Sequence, residues 1–146
     1  MTIPSKIFTE EEKKQIIEAI STAELNTSGE IRLHIESKCQ ESELDRAAYW
    51  FSKLKMHKTA QRNGVLFYLA FDDRKLAILG DTGINAKVEE GFWNATHDLI
   101  IGFFKEDKFA MGLSTGIIQA GLQLKKHFPY QSDDVNELAN EISYGK

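Results

Sequence analysis

Apolar positions along the chain repeat with two periods, one helical and one of strands. Ile16, Ile17, Ala19, Ile20 and Ala23 recur at helical spacing behind Thr9-Glu-Glu-Glu12. Threonine followed three residues later by glutamate predicts a capping box, so a helix is expected over about residues 10–24. Asn26-Thr-Ser-Gly29 stops it, and Glu30-Ile-Arg-Leu-His-Ile-Glu36 then alternates strictly. That alternation predicts a half-buried strand at a sheet edge, with Ile31, Leu33 and Ile35 inward and Glu30, Arg32, His34 and Glu36 on the other face. A second helix is expected through "ELDRAAYWFSKLKM", its apolar face made by Leu44, Ala47, Ala48, Phe51 and Leu54.

The next segment, "RNGVLFYLAFDDRKLAILGDTGI", reads as a central strand, a turn and a returning strand. Residues 64–71 are apolar almost throughout, as a strand covered on both faces requires. Asp72-Asp-Arg74 is a turn sequence, and residues 76–79 return antiparallel. Strand, helix, strand implies a right-handed crossover that leaves the first and central strands parallel. Val88, Phe92, Ala95, Leu99 and Phe103, broadened by Trp93, Ile100 and Phe104, fit a third helix. A fourth follows "FKEDK", with core positions Leu113, Ile117, Ala120 and Leu124 and a small-residue groove at Gly112, Gly116 and Ala120 that suits close helix packing. It ends at Phe128-Pro129. The expected fold is α/β: a three-layer α/β/α sandwich on a short mixed sheet, two parallel strands plus an antiparallel hairpin strand, with four main helices.

Length adds that 146 residues suffice for one domain, residues 1–130, followed by a polar, acidic tail over 131–146 that reads as either a docked helix starting near Asp134 or a disordered end. Charged residues at 27% and hydrophobic ones at 42% place the chain among globular proteins. A formal charge of -4 argues against a nucleic-acid partner, because no overall positive field is available for phosphates. No apolar run approaches a membrane span, no signal segment leads, and Cys39 is the lone cysteine; these point to a cytoplasmic protein with no membrane partner.

Several catalytic patterns are absent. Cys39 lacks the arginine six positions on that a cysteine phosphatase needs, since that place is Asp45 and Arg46 comes one too late. Asp-x-Asp-x-Thr, a Walker A loop, a Gly-x-Ser-x-Gly elbow and His-Glu-x-x-His are also missing. The histidines at 34, 57, 97 and 127 have no metal spacing and read as surface or packing residues, with His34 on either an exposed edge face or a functional wall. The predicted topology, however, brings Glu30, Arg62-Asn63 and Gly80-Asp81-Thr82 to one sheet end. Glu30, Asn63 and Asp81 supply hard oxygens for calcium or magnesium, with Arg62 and Thr82 beside them. The competing reading has Asp81 capping the third helix while Arg62 pairs with Glu30. The opposite end gathers a second acidic cluster, Glu36, Asp72, Asp73 and Asp107, which is either turn chemistry or another cation pocket.

"RNGVLFYLAFDDRKLAILGDTGI", preceded by "NTSGEIRLHIES" and followed by "FFKEDKFAMGLSTGIIQAGLQLKKHFP", resembles the TPM domain, a family with thylakoid-lumen, photosystem II repair and nematode membrane members. The resemblance spans about residues 7–130. It implies an α/β/α sandwich and, from members described as acid phosphatases, acidic cation-binding residues. Glu30, Asn63 and Asp81 thereby take a place in the family's cleft. Against many relatives, neither a leading signal segment nor a following membrane helix with a glycine-rich tail is expected for this chain. Three functions stand side by side at this point: a divalent-cation-binding domain, a metal-assisted phosphomonoesterase at the same cleft, and an adaptor docking an unidentified protein partner.

Overall fold

The computed structural model describes residues 3–130 and 142–145. Helix α1 (Glu10–Glu24) starts at the expected capping box: Thr9 Oγ1 accepts from Glu12 N at 3.1 Å and Thr9 N donates to Glu12 Oε1 at 2.9 Å. Strand β1 (Glu30–Glu36), helix α2 (Glu43–Lys53), strand β2 (Gly64–Ala70) and strand β3 (Lys75–Gly80) follow. A short helix α3 (Thr82–Asn85) precedes α4 (Phe92–Phe104) and α5 (Phe109–His127), and a last strand β4 comprises Ile142–Tyr144. The sheet order is β3-β2-β1-β4, with β1 parallel to both β2 and β4 and β3 antiparallel to β2. This is the expected mixed-sheet α/β architecture with four helices of substantial length.

Helices cover both faces of the sheet. Ile31, Leu33 and Ile35 join Val65, Phe67 and Leu69 against α1, α4 and α5. Leu66, Tyr68, Ala70 and Ala77 look the other way, toward Ala47 and Phe51 of α2 and the turn at Met56. All seven residues of β2 are buried, the physical reason its sequence is continuously apolar rather than alternating. The groove on α5 is used as packing: a Cβ on Gly116 would stand 2.3 Å from Ile100 Cδ1, so α4 approaches only because that atom is absent. Among the described residues no helix is long and apolar enough to cross a membrane.

Three local expectations require correction. Strand β1 is not at an edge, because β4 pairs with its outer side through Leu33↔Ile142, His34↔Ser143 and Ile35↔Tyr144. Its polar face is closed as well, with Trp50 and Arg46 of α2 over His34 and Glu36, and Glu30, His34 and Glu36 are all buried. The buried stripe of α2 runs through Ala47 and Phe51 with Trp50 half-buried beside them, whereas Leu44 and Ala48 are exposed. Turning the helix this way brings the indole to the carboxylate of Glu36. Of the third predicted helix, Val88 falls outside α4, a separate turn of helix precedes it at residues 82–85, and α4 buries Thr96 and Ile100 while Ala95 and Leu99 are exposed. The hole at Gly116 selects Ile100, and the helix rotates to fill it. The tail helix expected near Asp134 lies outside the described residues.

Candidate functional site

The expected convergence at one sheet end is present, and strand register explains it. Glu30 stands opposite Gly64, and Gly80 opposite Val65, which continues to Asp81 N donating to Gly64 O at 2.9 Å. Glu30, Gly64 and Asp81 thus form one row across three strands on the α2 side, the outer two about 10 Å apart at two strand spacings. Glycine leaves the middle of that row without a side chain. Its space is taken by the Met56 carbonyl oxygen, 3.0 Å from where a Cβ on Gly64 would lie. The connection from α2 reaches this position through Lys55 and Arg62, both in the left-handed region with φ of 60° and 52°.

Arg62 and Asp81 form a two-pronged ion pair, Nε to Oδ2 at 2.7 Å and Nη2 to Oδ1 at 2.8 Å. The bond to the carboxylate, and then its charge, pushes the guanidinium pKa up. Asp81 Oδ1 also accepts from Thr82 N at 2.8 Å and caps α3. Asp81 thus caps the short α3 and not the third helix expected from the sequence, whose N-cap is Gly91, and Arg62 pairs with Asp81 rather than with Glu30. The Asp81 side chain is only 4% exposed while Arg62 is 49% exposed, so the carboxylate is closed in and its partner is at the surface. Glu30 is buried, and so is Asn63, whose Nδ2 donates to Ser28 Oγ at 3.2 Å. Asn63 Oδ1 has no hydrogen-bond partner among the described residues.

Arg62, Asp81 and Thr82 line a cleft of about 280 Å³ together with Phe51, Ser52 and His57. Glu30 and Asn63 are not part of its lining. The sequence does not mark Phe51, Ser52 or His57 as site residues: Phe51 reads there as a core position of the second helix, His57 as a surface or packing histidine, and Ser52 carries no signal. Nothing in the period of "FSKLKMHK" tells that the helix ends at Lys53 and that the turn after it brings His57 to the lining of this cleft.

At the opposite sheet end the acidic residues come together as a region but not as one donor set. Glu36 is enclosed under α2: Arg46 Nε donates to both its oxygens at 3.2 Å and Arg46 Nη2 to Oε1 at 3.0 Å. Tyr68 Oη donates to Oε2 at 3.0 Å, and the Trp50 indole N–H donates to Oε1. Asp73 Oδ2 instead accepts from Cys39 N at 2.7 Å, and Asp107 is exposed at the α4–α5 turn. Asp72 N donates to Ser37 O at 2.8 Å, a strand-end pairing. Among the described residues, no three His, Cys, Asp or Glu side chains are grouped closely enough to hold a metal ion. His34 lies inside this enclosed cluster, its ring 3.9 Å from that of Trp50 and its Nδ1 2.7 Å from Ser143 Oγ. Burial, opposed by the nearby Glu36 charge, lowers its pKa from 6.5 to about 4.

A family model described as the TPM domain matches residues 1–122. Among solved structures, the chain is similar to the BA42 protein from the psychrophilic bacterium Bizionia argentinensis, at 46% identity and a TM-score of 0.88 over 96% of this chain and 97% of that one. The N-terminal domain of a protein from P. gingivalis shares the fold at 16% identity and a TM-score of 0.71, covering 87% of this chain and 84% of that one. So does the N-terminal domain of the cg2496 protein from Corynebacterium glutamicum, at 13% identity and 0.65, over 90% and 82%. No curated protein matches the sequence.

Proposed function

The chain belongs to the TPM domain family, and on that footing we propose that it binds a divalent cation, calcium or magnesium, at the sheet end bounded by Glu30 and Asp81. One observation carries this reading: two buried carboxylates stand on the same row of the sheet with glycine between them, and a backbone carbonyl is lodged where the missing side chain would be. Hard cations prefer such oxygen sets. Asn63 Oδ1, buried without a hydrogen-bond partner among the described residues, and the Thr82 hydroxyl extend the set. A bound cation would supply the positive charge that Arg62 now gives Asp81, and Arg62 is exposed enough to withdraw.

Calorimetric titration of calcium and magnesium into chelator-treated protein tests the reading. Saturable binding is expected in the wild type, absent in Asp81→Ala, and tighter in Arg62→Gln, where the competing guanidinium is gone. Silence from both ions in wild type and in Arg62→Gln alike would discard it, as would binding that Asp81→Ala leaves unchanged.

A second reading, phosphomonoester hydrolysis at the same cleft, draws on the cavity itself, where an arginine, a hydroxyl and a carboxylate share one wall. Arg62 would hold the phosphoryl oxygens and Asp81 would orient the attacking water. Turnover of an aryl phosphate should then vanish in Asp81→Ala and in Arg62→Gln; turnover that survives both would belong to a contaminant.

A further inference from the structure

The cleft beside Arg62 has two walls of different chemistry. Ala48 and Phe51 from α2 and Leu79 from β3 are apolar, whereas Ser52, His57, Arg62 and Thr82 carry polar groups. Its charge balance is also uneven. Asp81 is buried and already neutralised by Nε and Nη2 of Arg62, and among the described residues no other carboxylate lines the cleft. A simple cation has no use for an apolar wall. A bare inorganic anion has none either, because the apolar side of the cleft would stay unfilled.

We propose that this cleft binds a small amphipathic anion, a phosphate or carboxylate head on an aromatic or branched aliphatic body. The head meets Arg62, with the Thr82 hydroxyl and His57 as neighbours, and the body lies on Phe51, Ala48 and Leu79. Arginine suits the head, since its planar fork presents several N–H donors and Asp81 engages it along one edge. The volume, about 280 Å³, is below the usual range for drug-sized ligands and limits the body to about one ring. Removal of apolar surface from water on both sides then favours the ligand with a body over the bare head. The inference does not depend on a cation at Glu30 and Asp81, and it requires no reaction.

The test is a titration followed by backbone amide shifts, in buffer containing a chelator so that cation binding plays no part. Phenylphosphonate, benzoate, inorganic phosphate and benzyl alcohol are the probes. Phenylphosphonate or benzoate should saturate with shifts at Phe51, His57, Arg62 and Thr82, and should bind about tenfold or more tightly than inorganic phosphate and than benzyl alcohol, a difference of about 1.4 kcal/mol. Which of the two aromatic anions binds better identifies the head. Arg62→Gln should weaken the better one about tenfold, and Ala48→Phe, which fills the apolar side from an exposed helix position, should remove the advantage over inorganic phosphate. Equal binding of inorganic phosphate and phenylphosphonate would overturn the proposal, as would shifts confined to the surface lysines or affinity unchanged in both variants.

Discussion

Glu36 and Asp81 are both buried carboxylates on the α2 side of the sheet, and an arginine meets each, yet only one of the two surroundings is closed. Around Glu36 the arginine lies against aromatic rings, with the Arg46 guanidinium 4.7 Å from the Tyr49 ring centre and 5.5 Å from that of Trp50, and three residues donate to the carboxylate. Both carboxylate oxygens are engaged. Around Asp81 a single half-exposed arginine supplies the counter-charge beside an open cleft. Similar residue types therefore give a structural tie in one place and a candidate binding site in the other. What separates them is how many donors the fold brings to the carboxylate and whether the cationic partner can leave.

The comparison can be broken most directly at Glu36. Glu36→Ala leaves a guanidinium, an indole N–H and a phenol without their acceptor under α2, and it should cost about 3 kcal/mol in urea unfolding, the scale expected when one partner of a buried charged network is removed. A loss below about 1 kcal/mol would mean the cluster is looser than its geometry. The pH dependence is the next largest effect. His34 titrates near 6.5 when unfolded and about 4 when folded, because its ring is buried. The folded state thus holds fewer protons across that interval: stability is full above pH 6.5, falls as the pH drops toward 4, and levels off below. The decline attributable to His34 is about 3 kcal/mol, and it should flatten in His34→Gln; a slope unchanged by that substitution would assign it to other groups. The smallest effect sharpens the contrast. Arg46→Gln should lower the melting temperature clearly and Arg62→Gln by less, since Asp81 keeps the Thr82 N–H and its guanidinium partner is half-exposed. Equal losses in the two variants would place both pairs in the same structural class.

Much of the fold was legible in the residues. The Thr9–Glu12 capping box, the parallel pairing implied by strand, helix, strand, and the double-sided burial of β2 all follow from local rules that act over a few positions. The gathering of Glu30, Asn63 and Asp81 at one sheet end was legible too, because it needs only strand directions. Rotations of helices were not. Leu99 and Ile100 are equally apolar, and only the empty place at Gly116 of another helix decides which of them is buried. The partner of Arg62 was missed for the same reason: Glu30 and Asp81 both lie within reach of its strand end in sequence terms, and the left-handed backbone at Arg62 turns the side chain to one of them.

Sequence alone determined the periods, the caps, the strand order of β1, β2 and β3, and the family. Those properties depend on neighbours a few residues away or on the direction in which each strand runs. The tertiary structure decided that β1 is interior, since three residues from 142 onward supply its outer partner more than a hundred positions later. It also decided that His34 is sealed in rather than exposed, and that His57 and Phe51 share a cleft with Arg62. Burial and proximity across such distances come from packing several elements at once, and no local pattern of residues carries them.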